Sequence, residues 1–334
     1  MKNNSIFIIA EMACSHDGSF RKAKKIIDAA YSSNANAIQL QIWKIEYMMN
    51  PKRNDYEKIK KIELSYEIWN KLVNYSKKRY PKLKIYICVY EHKSIDFIKK
   101  LKCDGIKVNT SDLTNPLLLK KISLLKKPIN LSIGGSSLEE IEYSIKFIKK
   151  VNKNASINLL YGIQNFPTKI DDLKIGIFKI LTKKYKLKIG YQDHTDGKST
   201  HLNSITSLSI GEGVSIIEKH LTTDRDKTKF DYESALNKNE FKKYVLFIRK
   251  IENIKKIKNI FSFSKSEKKY RKFQKKSIVA INNLNKNDKI KEDDIAFLRT
   301  DINGISPHLY KKIINRKLKI NKKKYQLINY KDLK

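Results

Sequence analysis

The stretch GYQDHTDG, residues 190–197, puts Asp193 and His194 where a short apolar run stops and a turn begins. A second run, VSIIEKH at 214–220, ends in another histidine, His220, preceded by Glu218 and Lys219. If these runs are neighbouring parallel strands, their carboxyl ends lie side by side and the two imidazoles can share one divalent ion. Two hydrogen-bonded strand-end histidines without a metal fit the same spacing, so spacing alone leaves both readings open. Asp193 or Glu218 is expected to orient the rings from behind.

The rest of the chain repeats this sequence of strand, polar end and helix. Apolar runs at 6–11, 37–42, 84–89, 105–109, 129–133, 157–162, 188–192 and 214–219 alternate with helical patterns, among them 20–33, 65–78, 93–101, 137–151 and 238–255. Eight such units predict an α/β chain whose residues 1–260 close into a (β/α)8 TIM barrel. An open doubly wound sheet is the alternative, but no GxGxxG follows the first strand. Residues 261–276, FSFSKSEKKYRKFQKK, are charged and weakly patterned and read as a linker. Residues 277–334, with short strands and Asn and Asp turns, read as a second unit, too small to be stable without packing against something.

Composition narrows the function. No apolar run reaches the roughly 18 to 20 residues that cross a bilayer, so no membrane partner is expected. The first apolar run passes straight into Glu11 and reads as a strand in place of a signal peptide, which points to the cytoplasm. Cys14, Cys88 and Cys103 form no CxxC pair and suit a reducing compartment. A net charge of +37 would ordinarily suggest nucleic acid. Here the lysines are spread over nearly every amphipathic segment and the motifs of nucleic-acid folds are missing, so solvated faces are the better reading. A small anionic substrate still gains from that field.

Barrels carry function at the carboxyl ends of their strands. Those ends offer Glu11, Gln41, Lys107 with Thr110 and Asp112, Ser132 and Gln164, besides the two histidines. An amine at Lys107, behind a buried strand, needs water, a carboxylate or an anionic ligand. Asp112 equally fits a cap for the helix of TNPLLLKKI, and Ser132 a cap for the GGSS turn. His16 in CSHDGS fits a role in holding the first loop.

Several stretches together are more specific: IIAEMACSHDGSFRKAKKIIDAA, AIQLQ, IKVNTSDLTNPLLLKKI, KPINLSIGGSSLEEI, GYQDHTDG, GVSIIEKHLTTDR and FDYESALNKNEF. The chain resembles the sialic acid synthase (N-acetylneuraminate synthase) family, with its legionaminate and pseudaminate synthase relatives. The tail, with LRTDINGISP, is similar to that family's C-terminal antifreeze-like (SAF) domain. The resemblance implies condensation of phosphoenolpyruvate with an open-chain N-acetylhexosamine, giving a nine-carbon 2-keto acid and phosphate, with Mn2+ or Mg2+. By matching position, His194 and His220 are the implied metal ligands. Lys107, Thr110 and Ser132 fall on phosphoenolpyruvate-binding positions. Glu11, Gln41, Asp112 and Asp231 fall on sugar-binding or acid/base positions. Arg299 falls on the arginine that a partner subunit's small domain brings to the sugar, which implies a domain-swapped homodimer. The anion is expected to sit on Lys107 and on the helix N-terminus after SIGGSS.

Departures from the family pattern are Gln39 in place of a common lysine, Gln192 in place of a serine, Gln164 and Phe166 in place of Asn and Tyr, and Asp112 in place of a glutamate. They fall around the substrate and spare the histidines, implying altered substrate choice. The alternatives are another phosphoenolpyruvate- or pyruvate-dependent aldose-condensing enzyme on the same barrel, or a non-catalytic carbohydrate-binding homologue.

Overall fold

The computed structural model describes residues 5–255 and 262–334, which divide into two compact units, Met1–Lys256 and Ile257–Lys334. In the first unit, eight parallel strands run in sequence order: β1 (Phe7–Glu11), β2 (Ala37–Ile42), β3 (Lys84–Val89), β4 (Gly105–Val108), β5 (Ile129–Ser132), β6 (Ile157–Tyr161), β7 (Lys188–Asp193) and β8 (Ile216–Thr222). Pairing of β1 with β8, from Phe7 opposite Ile216 to Glu11 opposite His220, closes the barrel. The sequence pattern ends β8 too early: the strand runs on to Thr222, so His220 lies inside it. A short strand β9 (Leu236–Asn237), invisible to a periodicity reading at two residues, pairs with the end of β8.

Successive strand residues face opposite sides, so each strand contributes one parity to the barrel interior and the other to the surrounding helices. The outward set, including Ile8, Ala10, Ile38, Leu40, Ile85, Ile87, Ile106 and Leu131, packs under the helices in one large apolar core. The inward set is different. At the bottom Phe7, Ile9, Ala37, Tyr86, Leu160 and Ile216 form a small apolar plug. Above it the same parity gives Glu11, Gln39, Lys107, Ser132, Gln192, Glu218 and His220, all buried. Apolar filling below therefore supports a polar floor above.

Several helices begin where side-chain caps dictate. Ser19, Ser65 and Ser137 cap Phe20–Ser32, Tyr66–Arg79 and Leu138–Val151. The expected Asp112 and Ser132 caps are not formed: Asn115 caps helix Pro116–Leu124, and Ser137 with Glu140 makes the capping box after GGSS. The pattern at 93–101 yields only Ser94–Ile98. Two short helices, Ile45–Met48 and Tyr56–Lys60, fill the long connection after β2.

Of the residues expected as a linker, 261 lies outside the described residues, and Lys265–Gln274 forms a helix. Ser264 and Glu267 box its start, and none of its residues is buried, so it lacks the apolar stripe that would have shown it in the sequence. In the second unit, antiparallel β10 (Lys276–Ala280) and β11 (Ile295–Arg299) pack on a core of Ile278, Leu284, Ile290, Ile313, Leu318 and Ile328. A buried Lys322–Asp332 ion pair at 2.7 Å lies in this unit.

Glycines let the ends of β5 to β7 close tightly. A Cβ on Gly162 would collide with the Gln192 carbonyl, and one on Gly134 with the Gly162 carbonyl. Gly162→Ala should therefore lower stability by roughly 1–3 kcal/mol in urea unfolding, whereas Gly211→Ala, with nothing within 4 Å, should change it by less than about 1 kcal/mol.

Candidate functional site

The polar floor of the barrel is one connected network. Lys107 donates to Glu218 at 2.6 Å and lies 3.7 Å from Glu11. The Gln39 amide donates to both carboxylates, to Glu218 at 3.0 Å and to Glu11 in a shorter contact. Gln192 reaches Glu218 at 3.1 Å through its amide and accepts from Ser132 at 2.6 Å through its carbonyl. Ser132 in turn meets the Thr110 hydroxyl at 2.7 Å. Five residues singled out from sequence thus join Glu11 around Glu218, which the sequence reading treated only as a support for the histidines. Its signal was present: Glu218 shares inward parity with His220 on β8.

Charge balance governs this cluster. Two buried carboxylates face one ammonium. Burial opposes charge on Lys107, but Glu218 and Glu11 outweigh it and hold its pKa above the usual value. Burial also opposes charge on Glu218, and Lys107 outweighs it, leaving that carboxyl below its usual range. Glu11 is the group that gives way: burial, opposed by Lys107 and reinforced by Glu218, raises its pKa from 4.5 to about 7.

The histidines stand at the rim of this floor, with ring centroids 5.4 Å apart and planes at 79°. Burial lowers the pKa of His194 to about 4, and burial together with the neighbouring His194 drives that of His220 well down, so both rings are neutral at pH 7. His194 Nδ1 meets the Ile163 carbonyl at 2.8 Å, which leaves its Nε2 free of that bond. His220 Nδ1 is buried without a hydrogen-bond partner. Phe166, 43% exposed, lies over both rings at 4.3 and 5.8 Å.

Asp193 does not support the rings. Strand parity turns its carboxylate outward, where it meets Lys219 at 3.2 Å, Tyr244 at 3.1 Å and the Thr195 amide at 2.9 Å, all buried. The backbone after β7 is pinned again by Thr168 and Ser234, which both donate to the His194 carbonyl. The Ile163 carbonyl does for His194 what Asp193 was expected to do.

The remaining predicted residues spread around the mouth. Gln41, inward at the end of β2, lies 4.0 Å from Cys14 Sγ. Asp231, in a left-handed conformation with φ 54°, accepts from the Cys14 amide at 2.8 Å, and burial raises its pKa. Asp112 accepts from Asn115 and Ser111 at 3.0 and 3.1 Å, and burial raises its pKa too. Gln164 is exposed on the loop that carries Phe166. Arg299 closes β11 in the second unit. The helix N-terminus after SIGGSS carries its own capping box of Ser137 and Glu140. His16 does hold the first loop: its Nδ1 accepts from Gly18 at 3.0 Å and its ring meets Trp69 edge-on.

These features define a closed parallel (β/α)8 barrel with a buried polar site at the carboxyl ends of its strands. The chain belongs to the NeuB family, whose model matches residues 26–259, a family whose synthases are enzymes. It is 31% identical to an uncharacterised protein of Methanocaldococcus jannaschii over 99% of this chain and 96% of that one. It is 29% identical to the N,N'-diacetyllegionaminic acid synthase of Campylobacter jejuni, over 96% and 98% of the two chains. The crystal structure of the sialic acid synthetase of Leptospira borgpetersenii in complex with citrate aligns with TM-score 0.73 and 27% identity, over 80% of this chain and 92% of that one.

Glu11 makes stability pH-dependent in a defined direction. With a folded pKa near 7 against 4.5 when exposed, it keeps its proton longer in the folded state, so its contribution falls as pH rises from 4.5 through 7. Glu11→Gln removes that slope. Urea unfolding at pH 5 and pH 8 should show the variant gaining on the native protein, on the order of 3 kcal/mol, between the two.

Proposed function

We propose that this protein is a nonulosonic acid synthase that condenses phosphoenolpyruvate with an N-acetylated hexosamine and releases phosphate. The observation that carries the reading is the pair of neutral, buried imidazoles beside the Lys107–Glu218–Glu11 cluster. Among the described residues no group of three or more His, Cys, Asp or Glu side chains is placed to hold a metal. His194 and His220 by themselves fit an ion that completes its shell with water and substrate oxygens, because both are neutral and the buried His220 Nδ1 lacks any partner. Bound there, Mn2+ or Mg2+ would supply Lewis-acid polarisation of the sugar aldehyde.

The chain's own residues supply the rest. Lys107, Thr110 and Ser132 line one side of the floor and offer an ammonium and two hydroxyls to the enol phosphate. Glu11, close to its pKa at neutral pH, is suited to hold or release the proton that moves as the new carbon–carbon bond forms and water adds to the former enol carbon. Asp112 and Asp231, with their raised pKa values, are further candidates for that role and for binding sugar hydroxyls. Phe166 lies against both histidine rings, and on this reading Gln164 of the same loop contacts the sugar.

The same reading takes residues 277–334 for an antifreeze-like (SAF) domain and the active form for a domain-swapped homodimer whose Arg299 serves the sugar's N-acetyl group. Arg299 is exposed at the end of β11, as such a role requires. It also makes the enzyme cytoplasmic, in keeping with phosphoenolpyruvate as substrate. None of the helices, among the described residues, is long and apolar enough to cross a membrane.

Phosphate release from phosphoenolpyruvate across a panel of N-acetylhexosamines, with and without Mn2+, tests the proposal. Release should require both sugar and metal, and His194→Ala or His220→Ala should lower it on the order of 100-fold or more. Silence across the panel would instead favour a non-catalytic carbohydrate-binding homologue.

A further inference from the structure

The end of the barrel opposite the histidines holds a cavity of its own. At the amino ends of the strands, the underside of the apolar plug opens into a space of about 370 Å³, a size within the roughly 300–1,000 Å³ of small-molecule sites. Phe7, Tyr86, Pro128 and Ile216 give it apolar walls, and the Phe7 and Tyr86 rings meet at 5.8 Å. Lys188, Asn158, Ser5, Ser156 and Ser215 supply its polar groups. On β1, Phe7 lines this cavity while Glu11, at the other end of the strand, belongs to the polar floor.

The polar lining is rich in donors. Lys188 shares inward parity with Gly190 and Gln192, stands exposed at the rim, and makes no ion pair among the described residues. Tyr86 is 9% exposed, yet its hydroxyl has no hydrogen-bond partner among the described residues. Burial raises its pKa, so it keeps the proton it can donate. Asn158 gives one amide hydrogen to Asn130 at 2.8 Å and keeps the other. Behind it, Asn130 Nδ2 is buried with no partner. No Asp or Glu lines the cavity. Asp104, whose charge reaches Tyr86, is already engaged by Lys77 and Lys84. Buried donors are ordinarily paired, so orphan donors beside a free ammonium call for an acceptor.

One cation in the lining selects a single negative charge. Inorganic phosphate would leave Phe7, Pro128 and Ile216 facing water, and an uncharged hydrocarbon would leave the donors unanswered. A zwitterion would bring an ammonium for which the lining has no carboxylate. A carboxylate on a compact apolar body answers both halves of the cavity. We propose that this cavity is a second ligand site, for a small monocarboxylate whose carboxylate is held by Lys188, Tyr86 and Asn158 and whose body lies on Phe7, Pro128 and Ile216. It is separate from the reaction site and does not rest on the synthase reading.

Benzoate is the probe, its binding to the intact chain followed by saturation-transfer NMR and titration calorimetry. The native protein should bind it with a Kd of about 1 mM or tighter. Benzyl alcohol, which lacks the charge, and phenylglycine, which adds an ammonium, should each bind at least about 10-fold more weakly. Lys188→Met should weaken benzoate by about 10-fold or more and Tyr86→Phe by about threefold, with thermal midpoints reporting that each variant folds. Because a protein of charge +37 attracts anions over its whole surface, Lys250→Met on helix Lys238–Lys255 is the control and should leave the Kd unchanged. Saturating phosphoenolpyruvate should leave it unchanged too. Benzyl alcohol binding as tightly as benzoate overturns the anion assignment. A Kd unmoved by Lys188→Met, or moved equally by Lys250→Met, overturns the site, as does displacement of benzoate by phosphoenolpyruvate. No transfer to benzoate at about 10 mM overturns it as well.

Discussion

The Lys107–Glu218 ion pair is the interaction around which the site is arranged. An isolated charge at that depth would be very unfavourable, and the pair is favoured because Glu218 finds further hydrogen-bond partners. Gln192 and Gln39 supply those partners and carry the network outward to Ser132, Thr110 and Glu11. With one ammonium between two carboxylates, the cluster binds a proton most readily on Glu11. The resemblance places a lysine where this chain has Gln39. A lysine there would balance the charges, whereas the glutamine holds the two carboxylates together without neutralising them. The raised pKa of Glu11 comes first from burial, which the Gln39 hydrogen bond opposes only in part.

Strand alternation lets the same two strands do two jobs. On β7 and β8 the inward parity gives Gln192, His194, Glu218 and His220. The outward parity gives Asp193 and Lys219, a fully buried ion pair tied to Tyr244 of helix Lys238–Lys255. Removing either partner of such a pair leaves an uncompensated buried charge, so the strands that carry the histidines are held in one register. Beneath the polar floor lies the apolar plug of Ile9, Tyr86, Leu160 and Ile216, which fills the barrel below the network.

The barrel was legible because its strands alternate with helices at regular spacing and because polar residues recur at the strand ends. His194 and His220 were found by that logic, and the structure brings them together. Less was legible where the answer depends on parity or on contacts distant in sequence. Asp193 sits beside His194 in the chain yet points the other way, and Ile163 contributes a carbonyl, which no side-chain pattern reports. Glu218 was undervalued because its partners, Lys107 and Gln39, lie 111 and 179 residues away. The cap at Asn115 outcompeted Asp112 because it stands immediately before Pro116, which is set for the first helical position. The helix at Lys265–Gln274 was missed because its pattern lacks an apolar stripe.

The central claim is that two neutral imidazoles beside a buried ion pair form a cation site. Anomalous diffraction from crystals soaked in Mn2+ tests it most directly. The account predicts one strong peak per chain within bonding distance of His194 and His220, lost in His220→Ala crystals. A structure with no peak there, or with Mn2+ held only by other side chains, would contradict it.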